Sequence, residues 1–287
     1  MGILIDESTR ILVQGITGSQ GRFHSSLMKQ YGSNIVCGVT PGKAGQEVEG
    51  IPVYDTIAEA KSTHEVDASI IFVPARFATE AALESVYNGL DPVVVITEHI
   101  PIHSAMEIVH QAKRKGVHVI GPNTPGIIVS RQCKMGIMPG AIFTPGKTAI
   151  VSRSGTLTYE VVSNMTKKGF GQSVAIGIGG DPIRGTDMVE TMQLLENDED
   201  TEKIVVIGEI GGAQEERTAE LIKRGEITKD VVAYIAGRTA PSGKTMGHAG
   251  AIIMGGRGRL ESKVKAFEEA GVPVAGLPTK VPELLEK

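Results

Sequence analysis

Residues 11–21 read Ile-Leu-Val-Gln-Gly-Ile-Thr-Gly-Ser-Gln-Gly, and this stretch decides the fold of the first half of the chain. Its apolar opening, Ile11–Ile16, predicts a buried strand, and its three glycines, spaced GxxGxxG, predict a tight turn into a helix. We expect that helix to run to Tyr31 and to end at Gly32. Because loop amides and a helix N-terminus attract anions, the stretch predicts a strand–loop–helix unit that binds a phosphate group.

Further apolar runs alternate with amphipathic segments along the rest of the chain, a pattern typical of strands joined by crossover helices. The runs are nearly continuous in apolar residues, as in parallel strands that helices cover on both faces. The predicted strands after the first are residues 34–40, 68–73, 93–97, 117–120, 148–152, 173–178, 204–209 and 231–236. The alternation stops in a Pro- and Gly-rich stretch between Gly121 and Gly146, so the sequence predicts two doubly wound α/β domains.

Composition and charge disfavour several classes of protein. The 29 Lys and Arg against 33 Asp and Glu leave a formal charge of −4, which predicts no basic surface for nucleic acid. No apolar run approaches the roughly 18 residues of a membrane helix, and Asp6 and Glu7 stand where a targeting signal would be basic. Two cysteines suffice for neither a disulfide framework nor a cysteine-rich metal site. We therefore expect a cytoplasmic protein with no metal site and no nucleic-acid or membrane partner.

The end of the second predicted strand limits what the glycine loop can hold. An NAD site places Asp or Glu there for the ribose hydroxyls, but this sequence continues Pro41-Gly42-Lys43. A cation favours a ligand with a phosphate on its ribose, which leaves NADP and coenzyme A open, and a plain surface lysine is the alternative. Two later strand ends should face the same crevice, where Pro74 could wall an adenine and Thr97 and Glu98 could supply polar contacts.

Three strand ends of the second half should meet at one edge of its sheet. The first carries Ser154 and Gly155 at a helix start, where an anion site and simple N-capping by Ser154 are both open. The second carries Glu209, and the third leads to His248, whose glycine and alanine neighbours leave the imidazole accessible. With an ordinary pKa of about 6.5, the neutral ring is largely available at neutral pH. A glutamate that holds one ring nitrogen makes the other nucleophilic, so the pattern predicts a reactive histidine.

Six motifs in register along the chain closely resemble those of succinyl-CoA synthetase α subunits. They are Gly-Ile-Thr-Gly-Ser-Gln-Gly at 15–21, Thr-Pro-Gly-Lys at 40–43, Ser-Arg-Ser-Gly-Thr-Leu-Thr-Tyr-Glu at 152–160, Gly-Ile-Gly-Gly-Asp-Pro at 177–182, Gly-Glu-Ile-Gly-Gly at 208–212 and Gly-His-Ala-Gly-Ala-Ile at 247–252. The resemblance covers essentially the whole chain. It implies a Rossmann-like CoA-binding domain at 1–122, a connecting segment at 123–147, and a flavodoxin-like ligase domain with a phosphohistidine loop at 148–287.

The resemblance also implies roles for individual residues. His248 would carry a phosphoryl group, Glu209 would orient it, and Tyr159 would contact a carboxylic acid substrate. The helix start at Ser154 and Gly155 would hold the phosphate, together with a second helix start from a β subunit. The implied CoA contacts, beside Pro74, are Thr17, Gly18, Ser19, Gln20, Lys43, Ile96, Thr97 and Glu98. The family often has cysteine where this chain has Thr124, so no essential thiol is implied there.

The reaction implied by the resemblance is reversible. Succinate, CoA and ATP or GTP give succinyl-CoA, a nucleoside diphosphate and phosphate, through an acyl phosphate and a phosphohistidine. The nucleotide and Mg²⁺ are expected on an ATP-grasp β subunit, in an αβ or α₂β₂ assembly. Three alternatives remain open from the sequence: a ligase for malate or another acid, an NADP-dependent oxidoreductase, and a CoA-sensing module without catalysis.

Overall fold

Residues 3–238, 247–253 and 258–286 are described by the computed structural model, and they form two units. The first unit holds the chain up to Met138 together with Ile183–Gly185, and the second holds Pro139–Pro182 and the chain from Thr186 onward. The domain bounds expected from the sequence, at 1–122, 123–147 and 148–287, stay a prediction. Within the described residues, no helix combines the length and the apolar character that a membrane crossing requires.

Strands and helices alternate in the first unit, as the sequence predicts. Its strands are β1 (Arg10–Gln14), β2 (Asn34–Val39), β3 (Glu47–Val48), β4 (Ile51–Tyr54), β5 (Ala68–Ile71), β6 (Val93–Val95), β7 (Val119–Ile120), β8 (Gly126–Val129) and β9 (Cys133–Gly136). Its helices are α1 (Ser19–Tyr31), α2 (Ile57–Thr63), α3 (Ala75–Tyr87) and α4 (Ile102–Lys115). The predicted end of the first helix is confirmed, because Gly32 follows α1 with a φ of 110°.

The sheet of the first unit has the strand order of a Rossmann fold. Its parallel strands lie in the order β4-β2-β1-β5-β6-β7, and β3 pairs antiparallel with β4 at the edge. Counted along the chain, the parallel strands lie in the order 3-2-1-4-5-6. Residues Ile11–Val13 and Val93–Val95 are fully buried, because helices cover both faces of the central strands. The order reverses between β1 and β5, which is where such sheets bind ligands.

Three features of the first unit differ from the predicted pattern, and one of them is the strand pair β3 and β4, which the sequence did not predict. The strand predicted over Ile11–Ile16 ends at Gln14, because Gly15 turns the chain with a φ of 77°. The Pro- and Gly-rich stretch after Gly121 contains the antiparallel hairpin β8–β9, which the sequence did not predict. Its two strands approach closely at a glycine, since a Cβ on Gly126 would lie 2.1 Å from the carbonyl oxygen of Met135. Glycines that read as loop signals are therefore part of a strand pair.

Strands and helices also alternate in the second unit. Its strands are β10 (Pro145–Ser152), β11 (Gln172–Gly177), β12 (Lys203–Glu209), β13 (Asp230–Ala236) and β14 (Val274–Ala275). Its α-helices are α5 (Gly155–Lys167), α6 (Met188–Glu196), α7 (Gln214–Lys223), α8 (Leu260–Glu269) and α9 (Val281–Leu285). The four predicted strands of this half match β10 to β13, and β14 was not predicted.

These strands pair in parallel in the order β14-β13-β12-β10-β11. Counted along the chain from β10, this is the order 2-1-3-4-5 of the flavodoxin-like sheet. The order reverses between β10 and β12, so the loops that follow these two strands border the expected ligand crevice. The two doubly wound domains predicted from the sequence are thus confirmed as a Rossmann-like and a flavodoxin-like sheet.

Candidate functional site

A cavity of about 630 Å³ opens where the strand order of the first unit reverses. The loop after β1 lines it through Gly15, Thr17 and Gly18, and the loop after β5 lines it through Phe72, Val73 and Pro74. The end of β2 and one side of α3, from Phe77 to Glu84, complete the wall. Ligands of doubly wound sheets bind in this crevice, outside the carboxyl ends of the strands. The phosphate loop predicted from the sequence therefore borders a cavity of ligand size.

Backbone geometry explains the glycines of this loop. The positive φ of Gly15 is strained for any residue with a side chain, and a Cβ on Gly21 would lie 2.2 Å from the Gly15 carbonyl oxygen. The start of α1 can therefore approach the end of β1 closely. Gly18, which precedes α1, lines the cavity and makes no side-chain cap hydrogen bond. A phosphate of a bound ligand can take the place of such a cap.

The predicted CoA contacts fall into two groups. Thr17, Gly18 and Pro74 line the cavity. Lys43 is exposed, and its backbone N–H donates to the carbonyl oxygen of Thr40, a lining residue, at 3.1 Å. The predicted contacts that are described but do not line the cavity are Ser19, Gln20, Lys43, Ile96, Thr97 and Glu98. The CoA roles of all these residues stay predictions.

The second unit brings together His248 and Glu209, as the strand ends predict. Nδ1 of His248 lies 2.9 Å from Oε2 of Glu209, which ends β12. The glutamate side chain is 8% exposed and the histidine side chain is 26% exposed. The ring thus has one nitrogen held by a buried carboxylate while part of its surface stays open. This is the arrangement of an oriented, accessible nucleophile.

The carboxylate raises the pKa of His248 above its ordinary value. The hydrogen bond with Glu209 is the largest cause, and the charges of Glu209 and Asp181 act in the same direction. Burial and the charge of Arg153 lower the pKa and offset part of this effect. A larger fraction of the ring is therefore protonated near neutral pH than the ordinary histidine pKa of about 6.5 implies.

The imidazole ring of His248 packs against backbone that carries no side chain. A Cβ on Gly180 would lie 2.3 Å from Cγ of His248, so the imidazole packs directly on this glycine. The N–H of Gly250 donates to the carbonyl oxygen of Gly180 at 3.1 Å, and the N–H of Ala251 donates to that of His248 at 3.0 Å. The loop that carries His248 is thus hydrogen-bonded to the loop after β11, which contains the Gly-Ile-Gly-Gly-Asp-Pro motif at 177–182.

A network of buried charges adjoins Glu209. Arg153 is 1% exposed and Glu215 and Lys263 are fully buried. Arg153 lies 2.9 Å from one carboxylate oxygen of Glu215, and Lys263 lies 2.5 Å from the other. The two cations lower the pKa of Glu215 against its burial. Sequence reasoning missed this network, because Glu215 and Lys263 lie on amphipathic helices whose charges are typical of a solvent-exposed face.

The helix start at Ser154 has one confirmed role. Its hydroxyl accepts a hydrogen bond from the N–H of Leu157 at 3.4 Å, so Ser154 is the N-cap of α5. The phosphate role of Ser154 and Gly155 stays a prediction. So does substrate contact by Tyr159, which is half-buried on α5 and whose pKa is raised by burial. Thr124, at the family's frequent cysteine position, is buried and accepts a hydrogen bond from the N–H of Gly126 at 2.9 Å.

No group of three or more His, Cys, Asp or Glu that could hold a metal ion occurs in the part of the chain that the structure describes. The histidine–glutamate pair of the second unit and the ligand cavity of the first unit are the two candidate sites described above. A Rossmann-like unit with a glycine loop at its ligand crevice and a flavodoxin-like unit with a histidine–glutamate pair are the features expected of the class of CoA-dependent acid ligases.

Comparison with known proteins places the chain within that class. A CoA binding domain model matches residues 6–99 and a CoA-ligase model matches residues 151–273. An Archaeoglobus fulgidus protein named succinate–CoA ligase [ADP-forming] subunit alpha 2 is 53% identical and covers 99% of both chains. The Methanothermobacter thermautotrophicus subunit alpha is 55% identical over 97% of this chain and 94% of its own length. The chain belongs to the family of succinate–CoA ligase α subunits.

Solved structures share the fold. ATP citrate lyase from Methanothrix soehngenii, in complex with citrate and coenzyme A, matches 99% of this chain with a TM-score of 0.90 and 25% identity. A dinucleotide-forming acetyl-coenzyme A synthetase from Ca. Korarchaeum cryptofilum matches 96% with a TM-score of 0.76 and 20% identity. The chain spans 50% of the first protein's chain and 60% of the second's.

Proposed function

We propose that this chain works as the α subunit of an ADP-forming succinate–CoA ligase, with CoA bound at the first unit's cavity and a phosphoryl group carried by His248. The observation that carries the proposal is the 2.9 Å contact between Nδ1 of His248 and the buried carboxylate of Glu209. Family membership supports the acid-ligase reading over an NADP-dependent oxidoreductase and over a sensor without catalysis.

The contact with Glu209 defines which ring nitrogen reacts. When Nδ1–H donates to the carboxylate, the neutral ring keeps its lone pair on Nε2. Nε2 attacks the terminal phosphorus of ATP, the N–P bond forms, and the bond to the ADP oxygen breaks. Glu209 keeps Nδ1–H in place and stabilises the positive charge that develops on the ring. The pair therefore supplies both orientation and charge stabilisation for phosphoryl transfer.

The remaining steps consume the phosphoryl group. The succinate carboxylate attacks the phosphorus on His248, which breaks the N–P bond and gives succinyl phosphate. The thiolate of CoA then attacks the carbonyl carbon of succinyl phosphate, and phosphate leaves as succinyl-CoA forms. The loops after β1 and β5 suit CoA, because a cavity wall with an uncapped helix start can hold its phosphates. Tyr159 and the start of α5 are the proposed contacts for the acid and for phosphate.

The nucleotide and Mg²⁺ are proposed to bind an ATP-grasp β subunit, in an αβ or α₂β₂ assembly. The name subunit alpha, carried by the relatives from Archaeoglobus fulgidus and Methanothermobacter thermautotrophicus, supports a second subunit. A histidine that is 26% exposed also suits a phosphoryl group that reaches it from another polypeptide. On this proposal the single chain binds CoA but forms no succinyl-CoA.

The test uses the complex of this chain with a ligase β chain. ATP labelled at its terminal phosphate should label this chain, and the label should be acid-labile and base-stable, as expected for phosphohistidine. His248→Asn should abolish both the label and succinyl-CoA formation while CoA binding persists. Label that persists in this variant, or that maps to Ser154, would contradict the proposal. Robust succinyl-CoA formation by the single chain would contradict the need for a partner.

A panel of acids tests the substrate. Succinate should support turnover at the highest kcat/KM, with malate and citrate as competitors. Citrate belongs in the panel because ATP citrate lyase shares the fold. A higher kcat/KM with malate or citrate would keep the phosphohistidine chemistry and overturn the assignment of succinate.

A further inference from the structure

One guanidinium group contacts three separate segments around the reactive histidine. Arg153 directly follows β10 and its side chain is 1% exposed. Its Nη1 donates to the carbonyl oxygens of Glu209 at 3.2 Å and of Gly211 at 2.9 Å, and to Oε1 of Glu215 at 2.9 Å. This nitrogen therefore fixes the turn that follows β12, where Glu209 stands.

The other terminal nitrogen reaches the histidine side of the site. Nη2 of Arg153 lies 3.2 Å from Oε1 of Glu209, whose other oxygen contacts His248. Nη2 also donates to the carbonyl oxygen of Gly250, in the loop that carries His248, at 3.3 Å. The guanidinium of Arg153 thus forms an ion pair with the carboxylate that contacts His248, and a hydrogen bond with the backbone of the loop that carries His248.

Further contacts fix the guanidinium itself. Glu215 receives Arg153 on one oxygen and Lys263 on the other, and Lys263 also donates to the carbonyl oxygen of Gly212 at 3.0 Å and to Glu216 at 2.9 Å. Burying such charges costs free energy that an apolar core would not cost, so ion pairs of this kind add little net stability. What such buried ion pairs contribute to a functional site is a fixed position of the side chains that form them.

We infer that Arg153 is a positioning residue for phosphoryl transfer, which acts on His248 through Glu209 without touching substrate. The inference rests on the proposed function of His248. The role requires the planar guanidinium of arginine with its several N–H donors, because one side chain must reach both Glu209 and Gly250 while it stays paired with Glu215. Lysine carries the same charge but cannot span these acceptors.

The charges that face His248 in the described residues give this role a measurable signature. Glu209 and Asp181 raise the pKa of His248 and Arg153 lowers it. When the guanidinium is replaced by a shorter, single-point ammonium, the cation that lowers the pKa of His248 lies farther from the ring. The acid limb of the phosphorylation rate should then move to higher pH, because more of the ring is protonated.

The experiment is a double-mutant cycle in the complex with the β chain. Arg153→Lys should slow phosphohistidine formation at least tenfold and move the acid limb upward. In a Glu209→Gln background the same change should cost at least threefold less than in the wild-type background, because the carboxylate is gone and only the backbone contacts of Arg153 remain to be lost. Arg224→Lys, an exposed i,i+4 ion-pair residue on the same unit, is the matched control and should leave the rate unchanged. Equal losses in both backgrounds, or an unmoved acid limb, would overturn the inference.

Folding is monitored by thermal unfolding of each variant. If Arg153→Lys does not fold, the charge-paired variant Arg153→Gln with Glu215→Gln replaces it, since a cation and a carboxylate leave the interior together. The same two criteria then apply. Failure of the proposed function has a different result, because the wild-type complex would then carry no acid-labile label at all. Normal wild-type labelling with additive losses contradicts only the role of Arg153.

Discussion

Replacing Gly180 with alanine should disable the reactive histidine while leaving the fold intact. The new Cβ would lie 2.3 Å from Cγ of His248, whereas an ordinary contact starts at 3.4 Å, so the ring must shift by about 1.1 Å. A shift of that size either breaks the hydrogen bond to Glu209 or misplaces Nε2. A misplacement of about 1 Å can cost roughly 100-fold in rate, which corresponds to about 2.7 kcal/mol of transition-state free energy.

The assay is the rate of acid-labile labelling of the complex by ATP labelled at its terminal phosphate. The φ of Gly180 lies outside the left-handed region, so alanine adds no backbone strain there. Gly276→Ala is the matched control, because its φ is also outside that region and its new Cβ would have its nearest neighbour at 3.6 Å. A folded Gly180→Ala complex that labels at the wild-type rate would refute the proposed packing of the ring.

Three further outcomes follow from the described contacts. Since Glu209 raises the pKa of His248, the labelling rate should fall as pH drops through a value above about 6.5, and Glu209→Gln should move this limb to lower pH, as a pH–rate profile will show. Lys43→Ala should weaken CoA binding about fivefold in calorimetry, since one exposed charge contact is worth about 1 kcal/mol, and unchanged affinity would remove Lys43 from the site. Glu215→Gln should lower the free energy of unfolding by about 3–5 kcal/mol in denaturant titrations, because two buried cations lose their shared carboxylate. The pKa of Glu215 is lowered in the folded state, so its contribution to stability is present above the ordinary carboxyl range and is lost as pH falls through the folded pKa.

Local sequence patterns determine the parts of the fold that could be predicted. The GxxGxxG turn, the apolar runs and the Gly32 helix end are local signals; the turn and the helix end lie where the sequence places them, and a strand lies at each of the apolar runs, although several of these strands are shorter than predicted. The carboxyl ends of parallel strands lie at the same edge of a sheet. The contact between Glu209 and His248 could therefore also be predicted from the order of strands and loops in the sequence. The hairpin β8–β9 did not, because its pairing depends on two glycines that approach across the turn rather than on a periodic pattern.

The buried part of the site depends on contacts that no spacing in the sequence reveals. Arg153, Glu215 and Lys263 lie on three segments that are far apart in the chain. Each is of a charged residue type that usually lies on the protein surface, although all three are buried here. Their burial results from the packing of α7 and α8 with the strand ends. The direction in which the pKa of His248 departs from its ordinary value could not be predicted for the same reason, since it depends on the balance of Glu209 against Arg153 and burial.

The hydrogen bond between the histidine loop and the loop after β11 gives one amide proton that reports on opening of the histidine loop. The N–H of Gly250 donates to the carbonyl oxygen of Gly180, so this proton is protected from exchange with solvent while the two loops stay together. Deuterium uptake at Gly250 therefore reports the opening of the loop without any chemistry taking place. If phosphoryl transfer between two polypeptides requires that opening, turnover cannot exceed the opening rate, which uptake at Gly250 gives when intrinsic exchange is faster than reclosing.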